Sequence, residues 1–421
     1  MTAPEHRSVA SALWRIESAK LIAVIARVVK NVERAEEIAQ DVFVEALERW
    51  ERTGVPDKPG AWLMTAARHR ALDALRNERN SQRKRDRLEH ELDGSIAADF
   101  DEAPDDVIGD DLLSLVFVAC HPVLSQEARV ALTLRVLGGL TTAEIARAFL
   151  VPEPTIAQRI TRAKRTLAEK KVPFELPQRE DVSARLESVL EVVYLVFNEG
   201  YLATAGDDWM RPALCMDALR LGRLLAELMP TESEVHGLVS LMEIQASRAR
   251  ARVGPRGEAV LLLDQDRSLW DVTLVHRGLA AAARAEETAG GRHGPYFLQA
   301  SIAACHARAR AAADTDWRRI VSLYDELARV APSPIVELNR AVAVGMAFGA
   351  AQGLAVTEAL VRDEALRDYP FLPSVRADLL AKLGRFAEAK VEVERAAALT
   401  QNSRDRALFL ERATKYAGEK E

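Results

Sequence analysis

Cysteine is scarce: the 421-residue chain has three, Cys120, Cys215 and Cys305, odd in number, far apart and outside any CxxC pair. That excludes a disulfide framework and argues against a structural zinc site. Aromatic residues are only 5% of the chain, and alternating β-branched runs are almost missing. The long Ala-, Leu-, Arg- and Glu-rich stretches that remain favour helix throughout. No apolar run reaches the ~18 residues that span a bilayer; LIAVIARVV (21–29) and VLEVVYLVF (189–197) stop far short. The N-terminal MTAPEHRS lacks a signal-peptide core, so a cytoplasmic protein is expected. Glycine-rich phosphate loop, HExxH, nucleophile elbow and clustered His/Asp/Glu set are all missing, so no enzymatic activity, metal or cofactor is expected.

Length is not lacking. At ~100–200 residues per domain the chain holds about two to four domains, with cores that need no staples. The formal net charge of −6 hides three blocks of opposite sign. Arg68 to Arg87 holds eight basic residues against three acids, and Arg159 to Lys171 six against Glu169 alone. Between them, Glu89 to Asp111 holds ten acids and no Lys or Arg. Two positive patches flank a negative tether, a distribution more informative than the sum.

Periodicity predicts helices around 9–30, 33–50 and 60–80, the last two joined by the Pro/Gly loop ERTGVPDKPG with Pro59 in the next first turn. The acidic DGSIAADFDEAPDD has no sustained helical period and reads as a flexible linker. Helical pattern resumes over 111–172, and VPFELP (172–177) breaks it before a third, Ala-rich segment. There VSLYDELARVAPSPIVELNRA (321–341) can be laid on AKVEVERAAALTQNSRDRALF (389–409) at an offset of 68, twice the tetratricopeptide (TPR) period. LLAKLGRFAEAKVEVERAAAL (379–399) fits that repeat best, with Gly384 closing its turn. The expected fold class is all-α, with two small helical domains, an acidic linker and a TPR-like helical array.

The sharpest pattern is TTAEIARAFLVPEPTIAQRITRAKRTL (141–167). Thr141 and Glu144 have capping-box spacing, Leu150-Val151-Pro152 is the breaker, and a second helix follows with Pro154 in its first turn. Ile145, Ala146 and Phe149 on one helix and Ile156, Ile160, Ala163 and Leu167 on the other form packing faces, the spacing of a helix-turn-helix. The outer face of the second helix carries Thr155, Gln158, Arg159, Thr161, Arg162 and Arg165, groups suited to base edges and phosphates. Upstream, AEEIAQDVFVEALERW (35–50) has a stripe of Ile38, Val42, Phe43, Ala46 and Leu47. Glu36, Glu37, Gln40, Asp41 and Glu45 then form an acidic exposed face. In GAWLMTAARHRALDALRNERN (60–80), Trp62, Leu63, Ala66, Ala67, Leu72 and Leu75 look inward, and Arg68, His69, Arg76 and Arg79 outward.

In this order, over residues 8–80 and 112–172, these patterns resemble the two domains of bacterial extracytoplasmic-function (ECF) sigma factors. The resemblance implies core RNA polymerase and promoter DNA as partners. The helix matching 35–50 would dock on the β′ clamp helices, with Asp41 and Glu45 as contacts. The segment matching 51–80 would melt and read the −10 element, where Arg68, His69, Arg76 and Asn77 are the candidates. The helix-turn-helix, near the β flap, would read −35 through Gln158, Thr161 and Arg162, with Thr155, Arg159 and Arg165 nearer phosphates. Ala157 departs from the family, which often has a basic or polar reader there. Trp62 reads as core rather than as a stacking platform. The implied division is 1–88 for region 2, 89–111 for the linker, 112–172 for region 4 and 180–421 for a regulatory extension.

That extension, with VVYLVFNEGYLAT (192–204), SPIVELNRAVAVG (333–345) and YPFLPSVRADLLAKLGR (369–385), resembles the ECF subgroup with a TPR-like C-terminal domain, as does Cys120-His121-Pro122. Cys120 and His121 have no ligand partners nearby and read as structural. Asn198, Glu199 and Tyr201 interrupt an apolar helix and read as a cap, with the lining of a contact surface as the alternative. The alternative is a stand-alone helix-turn-helix regulator whose helical array senses a ligand or protein.

Overall fold

The computed structural model describes residues 3–86, 105–149, 151–201, 212–254, 260–400 and 403–418. Eighteen α-helices and five short 3-10 helices make up these residues. They form two compact units, residues 1–195 and 196–421.

In the first unit, α1 (Ala3–Val29) is the axis. Leu21, Ile22, Ala23, Val24, Ile25 and Ala26 are all at most 1% exposed, and a helix apolar on every side belongs in the middle of a core. The run LIAVIARVV is thus the central helix. α2 (Val32–Thr53) and α3 (Pro59–Asp86) pack on it. Asn31 caps α2, its side-chain oxygen accepting from Arg34 N at 3.0 Å. Gly54 ends the same helix with φ +79°, its N–H donating to Trp50 O, a backbone that suits glycine.

α4 (Asp105–Ala119), α5 (Gln126–Val136), α6 (Thr142–Phe149) and α7 (Glu153–Glu169) follow. Residues 105–111, read above as tether, are the first two turns of α4; the acids there masked the Leu112, Leu115 and Val116 side chains that bury its face. The rest of the acidic stretch, 89–104, lies outside the described residues, as do residues 87, 88 and 150.

α8 (Arg179–Tyr201) crosses from one unit into the other. Its first half belongs to the first unit. Arg185 donates to Phe117 O at 2.9 Å and lies over the Phe117 ring, Ser188 donates to Cys120 O at 2.8 Å, and Arg129 pairs with Glu191 at 3.0 Å. The first compact unit thus runs past residue 180 to residue 195.

The second unit runs from α9 (Pro212–Leu228) and α10 (Ser233–Ser247) through α11 (Val272–Thr288), α12 (Pro295–Arg308), α13 (Trp317–Val330) and α14 (Pro334–Phe348). α15 (Ala350–Leu360), α16 (Phe371–Lys382), α17 (Phe386–Leu399) and α18 (Ser403–Gly418) complete it. It holds several small cores: one around Phe297, Ile320, Leu327 and Val344, others around Leu338 and Leu372, around Leu354 and Leu380, and around Val393 and Phe409. The pair α13–α14 starts at 317 and 334 and the pair α17–α18 at 386 and 403, so a helix-pair phase recurs within one residue of the offset read from the sequence. Gly384, at φ +75°, makes the turn between α16 and α17.

Candidate polymerase and nucleic-acid interface

The α6–α7 pair is built from its cap outward. Thr141 Oγ1 accepts from Glu144 N at 3.1 Å, and Glu144 Oε2 accepts from Thr141 N at 2.8 Å, the reciprocal pair the spacing predicted. Burial works to raise the Glu144 pKa, but the hydrogen bonds from Thr141 and the Arg15 guanidinium hold it below the usual carboxylate range. Ile145 and Ala146 are buried against Ile156, Ile160, Ala163 and Leu167, while Phe149 is half-buried. Pro154 sits in the first turn of α7.

Of the six candidate DNA contacts on α7, Gln158, Thr161, Arg162 and Arg165 are exposed, and Thr155 and Arg159 half-buried beside them. Arg165 pairs with Glu169 at 3.2 Å in the open, an exposed i,i+4 contact weak enough to exchange for a phosphate. Lys164 is different: its side chain is 13% exposed and its Nζ lies 2.6 Å from Glu36 Oε2.

On α2, Asp41 and Glu45 are exposed, Glu45 making only a loose 3.6 Å pair with Arg70. Val44 and Leu47, 54% and 37% exposed, add an apolar edge, so Leu47 is not part of the buried stripe. Glu36 was read as exposed and is 3% exposed. Its Oε1 accepts from Arg135 Nε at 2.6 Å and from Gln40 at 2.9 Å. The signal was present: Val32, Glu36, Ala39 and Phe43 fall on one helical stripe, and all four are buried.

On α3, His69, Arg76 and Asn77 are exposed, Arg76 pairing with Asp73 at 3.4 Å. The Arg79 side chain lies outside the described residues. Arg68 does not point freely outward: it is half-buried, and its charge acts on Asp111 of α4. Trp62 packs edge-on against Trp50 at 5.5 Å with Arg49 over its ring, a packed position as read.

Cys120 is buried with Sγ 3.3 Å from Thr133 Oγ1, and burial pushes its thiol up to about 11. Burial lowers the His121 imidazole to about 4; its Nδ1 accepts from Val123 N. Both side chains serve the turn between α4 and α5. In the second unit Tyr201 is core rather than cap: it stacks on Phe197, and Arg252 lies 3.9 Å over its ring while donating to its carbonyl.

Known proteins place these helices. Residues 13–81 match the Sigma-70 region 2 family and residues 114–167 the Sigma-70 region 4 family. The ECF RNA polymerase sigma factor SigK of Mycobacterium ulcerans is 29% identical over 154 residues, covering 35% of this chain and 78% of that one. The chain belongs to the ECF sigma factors. SigK of Mycolicibacterium vanbaalenii is 30% identical over 155 residues, 35% of this chain and 74% of its own. An uncharacterized protein of Rhizobium meliloti is 42% identical over 382 residues, 90% of this sigma factor and 89% of that protein. Residues 185–286 match a family of unknown function, DUF6596, whose first residues here lie on the half of α8 that packs on region 4. As an ECF sigma factor the chain is a transcription initiation factor and not an enzyme; RNA polymerase and promoter DNA are the partners of its family.

Proposed function

We propose that this sigma factor binds core RNA polymerase through the outer face of α2, with Asp41 and Glu45 as contacts on the β′ clamp helices. Region 4 lies near the β flap and reads −35 through Gln158, Thr161 and Arg162, with Thr155, Arg159 and Arg165 on the flanking phosphates. His69, Arg76 and Asn77, with Arg68 once uncovered, support the opened −10 strand, where cations and unstacked bases meet. The functional division is region 2 over 1–88 and region 4 over 112–172. The TPR-like helical extension modulates output, acting in the cytoplasm. The observation that carries this reading is the coincidence, on one helix, of a packed inner face and four exposed polar or cationic side chains, preceded by a formed capping box.

Size-exclusion chromatography with core polymerase tests it. The full chain is expected to comigrate with core and to bind a promoter duplex specifically only in that complex. Specific duplex binding without polymerase, and no comigration, would favour a stand-alone regulator instead.

A further inference from the structure

Region 4 lies directly against region 2, and charged groups cross the seam. Glu36 of α2 takes Arg135 of α5 and Lys164 of α7, each at 2.6 Å, with its carboxylate 4% exposed. Arg15 of α1 meets Glu144 of the α6 capping box at 2.7 Å. Arg27 of α1 lies 3.4 Å from the buried Asp111 of α4. The backbone is fitted to the same contact. At Gly139, φ +68°, a Cβ would lie 2.9 Å from Ser18 Oγ and 3.3 Å from Arg15 Cα, so only glycine lets the α5–α6 turn approach α1 this closely.

This arrangement conflicts with reading two promoter elements at once. Elements centred near −10 and −35 are roughly 85 Å apart at 3.4 Å per base pair, whereas here side chains of α2 and α7 touch. Eighteen residues of sequence separate Asp86 from Asp105, and a chain of that length spans at most about 60 Å. The outer face of α2 with Asp41 and Glu45 stays open in the closed form, so polymerase can dock before region 4 leaves.

We infer that Glu36, Arg135 and Lys164 form a latch that holds region 4 on region 2 in the free protein and opens when the promoter complex forms. Lys164 is then a latch residue on the recognition helix, not a reader of DNA. The inference rests on the function proposed above only for what opens the latch; the closed state belongs to the free chain. A buried carboxylate with two cations loses most when one partner loses its charge, because the remaining charges stay desolvated. The separated state returns them to water.

Pulsed electron double resonance on the full chain tests this, with nitroxides at Arg52→Cys and Lys170→Cys, both exposed positions, and Cys305→Ser to remove the half-buried thiol. The free wild-type pair is expected to give one narrow distance. Glu36→Gln should shift the closed-to-open ratio about a hundredfold toward long, broad distances, with Lys164→Gln as the milder variant should Glu36→Gln fail to fold. With core polymerase and a promoter duplex bound, the wild type should show the long distance. The latch is overturned if the free wild type and both variants give the same distribution, or if the short distance persists in a complex that has comigrated with core and promoter. The free-chain comparison needs no polymerase, so failure to comigrate counts against the proposed function and not against the latch.

Discussion

Glu36 and Asp41 are five residues apart on α2 and meet opposite surroundings, one sealed under two cations and the other open to solvent. Sequence pattern separated them poorly because an acid within an apolar stripe looks like its exposed neighbours until something pairs it. Lys164 follows Ala163 and lies one turn after Ile160, at the edge of the packed stripe. Arg162, by contrast, was read correctly as outward. Arg162→Ala is expected to weaken binding of the holoenzyme to its mapped −35 duplex by ~1–3 kcal/mol if the guanidinium forks onto a base edge. Fluorescence anisotropy against a scrambled duplex checks this, since an equal loss on both would make Arg162 a phosphate anchor.

Asp111 gives a pH signature. Desolvation, against the opposing pull of Arg27, Lys30 and Arg68 and with help from Asp110, raises its pKa to about 6. A carboxyl that holds its proton more tightly folded than unfolded adds stability as pH falls through about 6, complete only below the ordinary value of 3.8. Asp111→Asn should therefore raise the melting temperature of the first unit at pH 7 and flatten its rise between pH 6 and pH 4. The gain at pH 7 is about 1 kcal/mol once solvent screening is allowed for. An unchanged pH profile in thermal melts would place the titration elsewhere.

At the scale of helices, the capping box, the breaker and the two packed faces made α6 and α7 legible, because each signal is local and they agree. The seam between α1 and α5–α7 was not legible, since contacts distant in sequence leave no periodic trace. α8 shows a third case. Pro173 and Pro177 mark where a helix stops, not where a domain stops, and the first half of the next helix returns to region 4 through Arg185, Ser188 and Glu191. A chain ended at residue 172 is expected to lose those contacts and expose the Phe117 and Cys120 end of α4. A chain ended at residue 195 keeps them. Hydrogen exchange of α4 and α5 should be markedly faster in the shorter chain; equal protection in both would show that α8 adds nothing to region 4.

At the scale of the whole molecule, the all-α class was readable from composition and periodicity, and the two sigma regions from the resemblance of residues 8–80 and 112–172 to the family. The extension was readable as helical with one helix-pair offset and no more regular repeat, because an irregular array spreads its burial over several small cores. The split of charge into two basic blocks and one acidic block was also readable from the sequence. Any test of the extension has to cut after residue 195, so that a change in output is not a change in region 4.

The most direct test of the account is transcription from fragmented genomic DNA by core polymerase with the purified full chain, with 5′ ends mapped. The account predicts a small set of start sites that depend on the added chain, share two sequence elements upstream, and fade when Arg162 and Gln158 are both replaced by alanine. Start sites identical with and without the chain, under conditions where a housekeeping sigma factor activates the same core, would contradict it.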